Sequence, residues 1–317
     1  MVQRRKFLKG MGIALAGIPF ASNKLQAETQ HENYKPKALF SFGVLTDLHH
    51  DLIKDGPRRV EMFIAEMNRL KPDFVIQMGD FCVPKPANQV IMDAWNGFKG
   101  TKYHVIGNHD NDGGFSHDEV VSFWNAKAKY YSFDLNGYHF IVLNGNERLP
   151  GSAAKGYPNA IGDEQRDWLK HDLDSTALPV IVFCHQGIDD DMDGLKEGAL
   201  IRLLFERANQ KAGFQKVRLV LSGHHHEDYL NVYNNINYLQ INSASYQFAR
   251  LKNGYDFELT VDPLWAFVSV YTDGTIQVKG KKSAYATPRE PADLREYDGY
   301  PTVPYISDRV IKTEAQR

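Results

Sequence analysis

Cysteine is scarce in this chain: Cys82 and Cys184 are the two it has in 317 residues. A disulfide framework is thereby excluded; of the two readings left, one bridge or two packed thiols, the thiols are the simpler. An excess of one charge is lacking as well. The 37 basic and 39 acidic side chains leave a formal net charge of -2. Without a basic surplus, no stable nucleic-acid partner held by charge is expected. A spanning apolar run is also missing. The stretch from Met11 to Ala21 falls short of the roughly 20 residues that a transmembrane helix needs. No repeat of fixed period runs through the chain, so solenoid arrays drop out. What is there, 43% apolar and 24% charged residues, is the composition of a globular protein able to bury a sizeable core.

The N-terminus reads as an address. Arg4-Arg5-Lys6-Phe7-Leu8-Lys9 precedes the Met11–Ala21 run, a charged segment followed by a short apolar one. The string resembles a twin-arginine export signal, which implies a periplasmic or secreted protein exported already folded. Residues 1–27 are assigned to this signal, with Ala27 as a plausible last residue, and 28–37 to a polar linker. No cysteine follows the apolar run, so nothing there offers a lipoprotein anchor. An uncleaved signal is the one membrane attachment the sequence suggests.

A folded domain is expected over 38–283. Leu39 to Thr46 reads as a strand ending in Asp47-Leu48-His49. Residues two apart on an extended chain point the same way, so Asp47 and His49 can reach one ion. Pro57 opens a helix with Val60, Phe63, Ile64 and Met67 on one face. A second strand, Phe74 to Met78, ends in Gly79-Asp80. A third apolar run, Tyr103 to Ile106, ends in Gly107-Asn108-His109-Asp110. Strand–helix–strand–helix–strand order implies parallel strands with crossovers, which puts these polar ends on one sheet edge. Ser116 and Glu119 form a capping box. Tyr130 to Asn144, broken at Asn136-Gly137, reads as a hairpin that opens a second, mixed sheet. Pro179 to Cys184 ends in His185, and Val217 to Leu221 runs into Gly223-His224-His225-His226. Beyond Lys282, four prolines and few apolar residues predict an extended surface tail; 284–317 is assigned to a proline-rich extension.

Five strand ends thus supply Asp47, His49, Asp80, Asn108, His185, His224 and His226. Oxygen and imidazole donors without thiolate suit manganese, iron or zinc. They are too many for one tetrahedral ion and suit two if a carboxylate bridges; Asp80, central in the strand order, is the natural bridge. Ions about 3.5–4 Å apart can clamp the attacking and departing oxygens of an in-line displacement. That is phosphoester chemistry.

Asp47-x-His49, Gly79-Asp80, Gly107-Asn108-His109-Asp110, His185 and Gly223-His224-x-His226, in that order, resemble the calcineurin-like metallophosphoesterase superfamily. The likeness runs from about Leu39 to Lys279. It implies an α/β fold, a four-layer αββα sandwich of two mixed sheets flanked by helices. It implies two divalent or trivalent metal ions, one held by Asp47, His49, Asp80 and His226, the other by Asp80, Asn108, His185 and His224. His109 would contact the phosphate and protonate the leaving oxygen, while a hydroxide between the ions attacks phosphorus in line.

One departure narrows the expectation. The phosphoprotein phosphatases of the superfamily carry a further Asp where Val83 stands here, which leaves His109 without that branch's orienting carboxylate. A branch acting on small or nucleotide-like phosphoesters is therefore expected. The competing readings are a catalytically silent metal-binding envelope protein and a nuclease for short oligonucleotides. His50 and His225 are expected to face away from the ions, His104 to lie in the core, and His31, His117, His139 and His171 at the surface. Tyr229, Tyr246 and Gln247 are candidate substrate contacts.

Overall fold

The computed structural model describes residues 36–151, 155–189, 194–251, 254–288 and 300–314. The stretch expected to be an export signal and the acidic residues at 190–193 lie outside them. Strand β1 (Ala38–Leu45) leads through α1 (Gly56–Leu70) to β2 (Phe74–Gln77), and through α2 (Gln89–Asn96) to β3 (Thr101–His104). Both pairings, β1 with β2 and β2 with β3, are parallel. Helix α1 forms for local reasons: Pro57 fits its first turn, Val60, Phe63, Ile64 and Met67 make one buried stripe, and Lys71 stops it in the left-handed region at φ 55°.

After α3 (His117–Trp124), the hairpin of β4 (Tyr131–Leu135) and β5 (Tyr138–Val142) begins the second sheet. Helix α4 (Asp163–Ser175), β6 (Val180–Phe183), α5 (Gly198–Ala212), β7 (Val217–Ser222), β8 (Tyr229–Tyr233) and β9 (Ile236–Gln240) extend it. Its order is β4-β5-β6-β7-β9-β8, parallel through the middle. Among the described residues, strands β10 (Tyr246–Leu251) and β11 (Gly254–Leu259) pair only with each other, as a separate hairpin. Strands β12 (Ala266–Tyr271), β13 (Thr275–Gly280) and β14 (Arg309–Lys312) then complete the first sheet as β14-β13-β12-β1-β2-β3.

Period-two alternation sorts the core into layers. Phe42 and Val44 of β1 point between the sheets, and Leu45 points at the helices. Between the sheets, Phe42 stacks on Phe74 at 4.9 Å and meets Phe183 edge-on at 5.7 Å, while Phe74 meets Phe140 at 5.4 Å. Each ring buried there contributes about 1.5–3 kcal/mol. Outside the first sheet, Phe63 of α1 stacks on Trp95 of α2 at 5.9 Å. Outside the second, Leu169 of α4 and Phe205 of α5 close the other face. The result is helix, mixed sheet, mixed sheet, helix, with the carboxyl ends of β1, β2, β6 and β7 at one edge.

Three details differ from the expectations. The ladder of the third strand stops at His104, although Val105 still donates to the Gln77 carbonyl at 2.9 Å. The tail past residue 300 is stitched down rather than lying loose: β14 pairs with β13, Ile306 and Ile311 are buried, and Arg309 bonds Asp228 at 2.7 Å. Its four-residue strand is too short to show a period among prolines. His139, expected at the surface, is buried, because its strand is covered by α4.

His139 bonds Asp134 through Nδ1 at 2.5 Å and Asp172 through Nε2 at 2.8 Å, joining β4, β5 and α4. Burial by itself would lower its pKa; the two carboxylates more than offset this and raise it. A raised folded-state pKa stabilises below the unfolded value, about 6.5, and that contribution fades as pH climbs through the folded value. His139→Gln should therefore cost more stability near about pH 6 than near about pH 9. Denaturant unfolding at both pH values checks this, and an equal loss at both refutes the charged state.

Candidate metal centre

The cup is built by loops that leave the sheet edge in unusual backbone conformations. Asp47 (φ 55°), His49 (φ 50°), Asp80 (φ 50°), His224 (φ 75°) and His226 (φ 56°) all occupy the left-handed region. Such residues cost about 1–3 kcal/mol each and persist only where the surroundings hold them. Glycines make room. A Cβ on Gly107 would collide with the Asp80 backbone nitrogen and carboxylate, so the loop after the third strand can pass beside Asp80 only without a side chain there.

All seven proposed ligands come together. His49 Nε2 lies 3.1 Å from His226 Nε2, and His226 Nε2 lies 3.3 Å from Asp47 Oδ1. On the other side, His185 Nε2 lies 3.1 Å from Asn108 Oδ1 and 3.3 Å from Asp80 Oδ2. That same Asp80 oxygen is 3.5 Å from His49 Nε2. Donor atoms of Asp47, His49 and His226 fall within 4.8 Å of one another, as do those of Asp80, His185 and His224. Asp80 thus stands between two groups.

Hydrogen bonds aim the rings. His185 Nδ1 donates to the Met78 carbonyl at 2.8 Å, and His226 Nδ1 to the Tyr246 carbonyl at 2.7 Å. With Nδ1 bonded to a carbonyl, each Nε2 is the ring nitrogen turned into the cup. The carboxylates are held too. Asp47 accepts from the Thr46 hydroxyl at 2.6 Å and the His224 N–H at 3.0 Å; Asp80 accepts from the His109 N–H at 2.8 Å. Burial alone would raise the pKa of Asp47, but His185 and His226 keep it low; Asp80 is likewise held low by His185 and His49. Burial lowers His49 and His224 to about 3, so both rings are neutral. His185 is raised to about 10 despite burial, by Asp80 and Asp47. Two carboxylates, an amide oxygen and imidazole nitrogens converge in a buried cup, and His185 would give up its second proton to a bound cation; this donor set fits divalent cations.

His109 forms the outer wall. Its donor atoms also lie within 4.8 Å of those of His49 and Asp80. Its Nδ1 bonds Asp112 Oδ2 at 2.7 Å, and the Tyr157 hydroxyl sits 2.8 Å from the same nitrogen and 3.1 Å from Asp112. Asp112 therefore does what position 83 cannot; the Val83 N–H is bound to Asp51 at 2.9 Å. Neither partner was singled out from the sequence. A carboxylate three residues after His109 in the same loop was a usable signal, whereas Tyr157 lies in a loop with no pattern.

Asp110 is a clamp. It accepts from the N–H groups of Asp80 (2.9 Å), Gly107 (2.7 Å), Phe81 (2.6 Å) and Cys82 (3.1 Å). Burial and the Asp80 charge push its pKa up. Donors aimed at both oxygens pull the other way, because a protonated oxygen would face an N–H. Cys82 and Cys184 are free, buried thiols. His104 stacks on Trp124 at 5.5 Å in the core. His225 lines the cavity, bonded to Tyr229 at 3.2 Å. Tyr246 packs 4.7 Å from the His226 ring, while Gln247 is fully buried and Tyr229 stacks on Tyr300. The cavity over the cup measures about 230 Å³ and is lined by His49, Asp80, Asn108, His109, Tyr157, His224, His226 and Phe248 among others. A larger cleft of about 920 Å³ adjoins it across Tyr157.

Two mixed sheets delivering this donor set to one edge define a class, the metal-dependent phosphoric ester hydrolases. Residues 40–228 match the family described as calcineurin-like phosphoesterase, and the chain belongs to that family. A 3',5'-cyclic-nucleotide phosphodiesterase of Nostoc sp. is 24% identical over 282 residues, 82% of this chain and 99% of the relative. The mouse serine/threonine-protein phosphatase CPPED1 is 25% identical, covering 62% of this chain and 68% of its own length. Among solved structures, a dimetal phosphatase from Danio rerio superposes with a TM-score of 0.62 at 14% identity, covering 88% of this chain and 100% of that one. GAP50, titled the anchor in the inner membrane complex of Plasmodium, superposes with a TM-score of 0.55 at 15% identity, covering 83% and 91%. Those two likenesses concern the fold.

Asp110→Asn tests the clamp. The amide would turn an NH2 group toward backbone donors and strand at least one of them, at about 1–3 kcal/mol. Denaturant unfolding should show a loss of that size, with weaker metal uptake by titration. Unchanged stability would mean that the four N–H groups find other acceptors.

Proposed function

We propose that this chain is an exported two-metal phosphodiesterase for small, nucleotide-like phosphodiesters. In this reading Asp47, His49, Asp80 and His226 hold one ion, and Asp80, Asn108, His185 and His224 hold the other. The observation that carries it is Asp80 Oδ2, which lies near a histidine of each proposed ligand group, His49 at 3.5 Å and His185 at 3.3 Å. When bound, two such ions supply charge neutralisation at phosphoryl oxygens and a nucleophile at neutral pH. The chain's own residues do the rest. Asp112 and Tyr157 occupy Nδ1 of His109, which leaves Nε2 for the cavity. His109 gives a proton from Nε2 to the leaving oxygen as the P–O bond breaks. Asp112, an acceptor only, keeps the other proton on Nδ1.

The choice of diesters is supported by the relative matched over nearly its whole length, which is named for cyclic nucleotides. The absence of a carboxylate at Val83 speaks against the phosphoprotein branch. Export rests on Arg4-Arg5 and the apolar run behind them.

With manganese, the purified protein should hydrolyse bis(p-nitrophenyl) phosphate, and a chelator should stop it. His109→Ala should lower kcat by about 10²–10⁴-fold while elemental analysis still finds both metals. Asp112→Asn should lose less, about tenfold, and more on esters with poor leaving groups, as expected when an acid is misaligned. Fully metallated protein inactive on monoesters, diesters and pyrophosphates alike would end this reading.

Export has its own test. Fractionation of cells with a twin-arginine pathway should recover the full chain outside the cytoplasm, and exchanging both Arg4 and Arg5 for lysine should retain it inside. Export that survives the exchange would rule out this route.

A further inference from the structure

Phe257 is a large ring left 53% exposed beside a buried polar cup. It sits on the hairpin of β10 and β11, which joins neither six-stranded sheet. Pairing sets Phe248 opposite Phe257 and Tyr246 opposite Leu259. Residues two apart share a face, so these four side chains lie on the same side of the hairpin. The opposite side is turned inward: Gln247 and Ala249 are fully buried and Glu258 is 2% exposed. The aromatic side is therefore the one presented to the cavity and to solvent.

The hairpin is fastened to the cup. The Tyr246 carbonyl at its start accepts from His226 Nδ1 at 2.7 Å, and the Phe248 carbonyl accepts from the Thr302 hydroxyl at 3.1 Å. Phe248 lines the cavity, with its ring 4.6 Å from that of His226 and tilted by 28°. Phe257 follows 5.4 Å further out. A line of rings thus runs from the proposed metal ligands to solvent.

We propose that this hairpin face is an aromatic subsite that stacks the nucleobase of the substrate, with Phe248 at its inner end and Phe257 at its outer end. The inference rests on the phosphodiesterase reading above and names the group attached to its phosphate. A ligand charged at one end and flat and apolar at the other matches a polar cup that continues into a row of rings. Stacking on aromatic side chains uses the flat face that every base has, so it is largely indifferent to which base it is. The subsite therefore confers a demand for a nucleoside without choosing among bases.

The test uses two esters with the same scissile bond and leaving group: the p-nitrophenyl ester of thymidine monophosphate and methyl p-nitrophenyl phosphate. The ratio of kcat/KM for the first over the second measures the nucleoside contribution. Phe257→Ala, at an exposed position, should lower this ratio about tenfold, mainly through KM, and Phe257→Trp should restore it. Phe248→Ala should act in the same direction. An active wild type whose ratio is unchanged in Phe257→Ala overturns the subsite alone; that is also the outcome if the exposed ring serves to dock another protein. A wild type inactive on both esters overturns the hydrolase reading and the subsite with it.

Discussion

Asp47 and Asp80 are buried side by side, 0% and 3% exposed, and the rest of the molecule is arranged around that fact. A buried carboxylate costs several kcal/mol unless it is paired and hydrogen-bonded. Here the compensation comes from backbone N–H groups, the Thr46 hydroxyl and the imidazoles around them. None of these partners is a neighbour of both carboxylates in sequence. They meet because parallel strands deliver their carboxyl-end loops to one edge. Cations held by these residues would complete the compensation, which would tie the site's stability to its chemistry.

Rigidity is needed to keep such groups together, and the packing supplies it. The stacked rings between the sheets fix the strands, and the strands fix where each loop begins. Five left-handed residues then turn sharply enough to bring side chains back over the sheet edge. Asp110 gathers four N–H groups of two separate loops and so locks the turn carrying Asp80 to the turn carrying His109.

The site divides by exposure. The proposed ligands are buried or nearly so, whereas the side chains of His109 and Asp112 are 34% and 46% exposed. Phe257 and Tyr157 stand on the same solvent side. This division suits the proposed roles. Ions need a preorganised cup shielded from water, and a substrate would reach the proposed acid and stacking surface from solvent.

The strand–helix alternation, the polar strand ends and the order of the ligand motifs were legible in the chain itself. Apolar runs of period two and stripes of period 3.6 are local signals, as are Pro57 and the Ser116–Glu119 cap. Other features had no local signal. The strand Arg309–Lys312 is four residues among prolines, and the Tyr246–Leu259 hairpin hides its alternation because its polar side is the buried one. His139 looked like a surface residue until a helix covered it. By itself, then, the sequence determined the elements and which residues stand at their ends, since propensity and periodicity act over a few neighbours. Tertiary structure decided that Asp112 and Tyr157 take the place left by Val83, and that Phe248 and Phe257 border the cup. The Tyr157–His109 contact joins loops 48 residues apart and the His49–His226 contact in the same cup joins loops 177 apart, and only the packing of two sheets sets such distances.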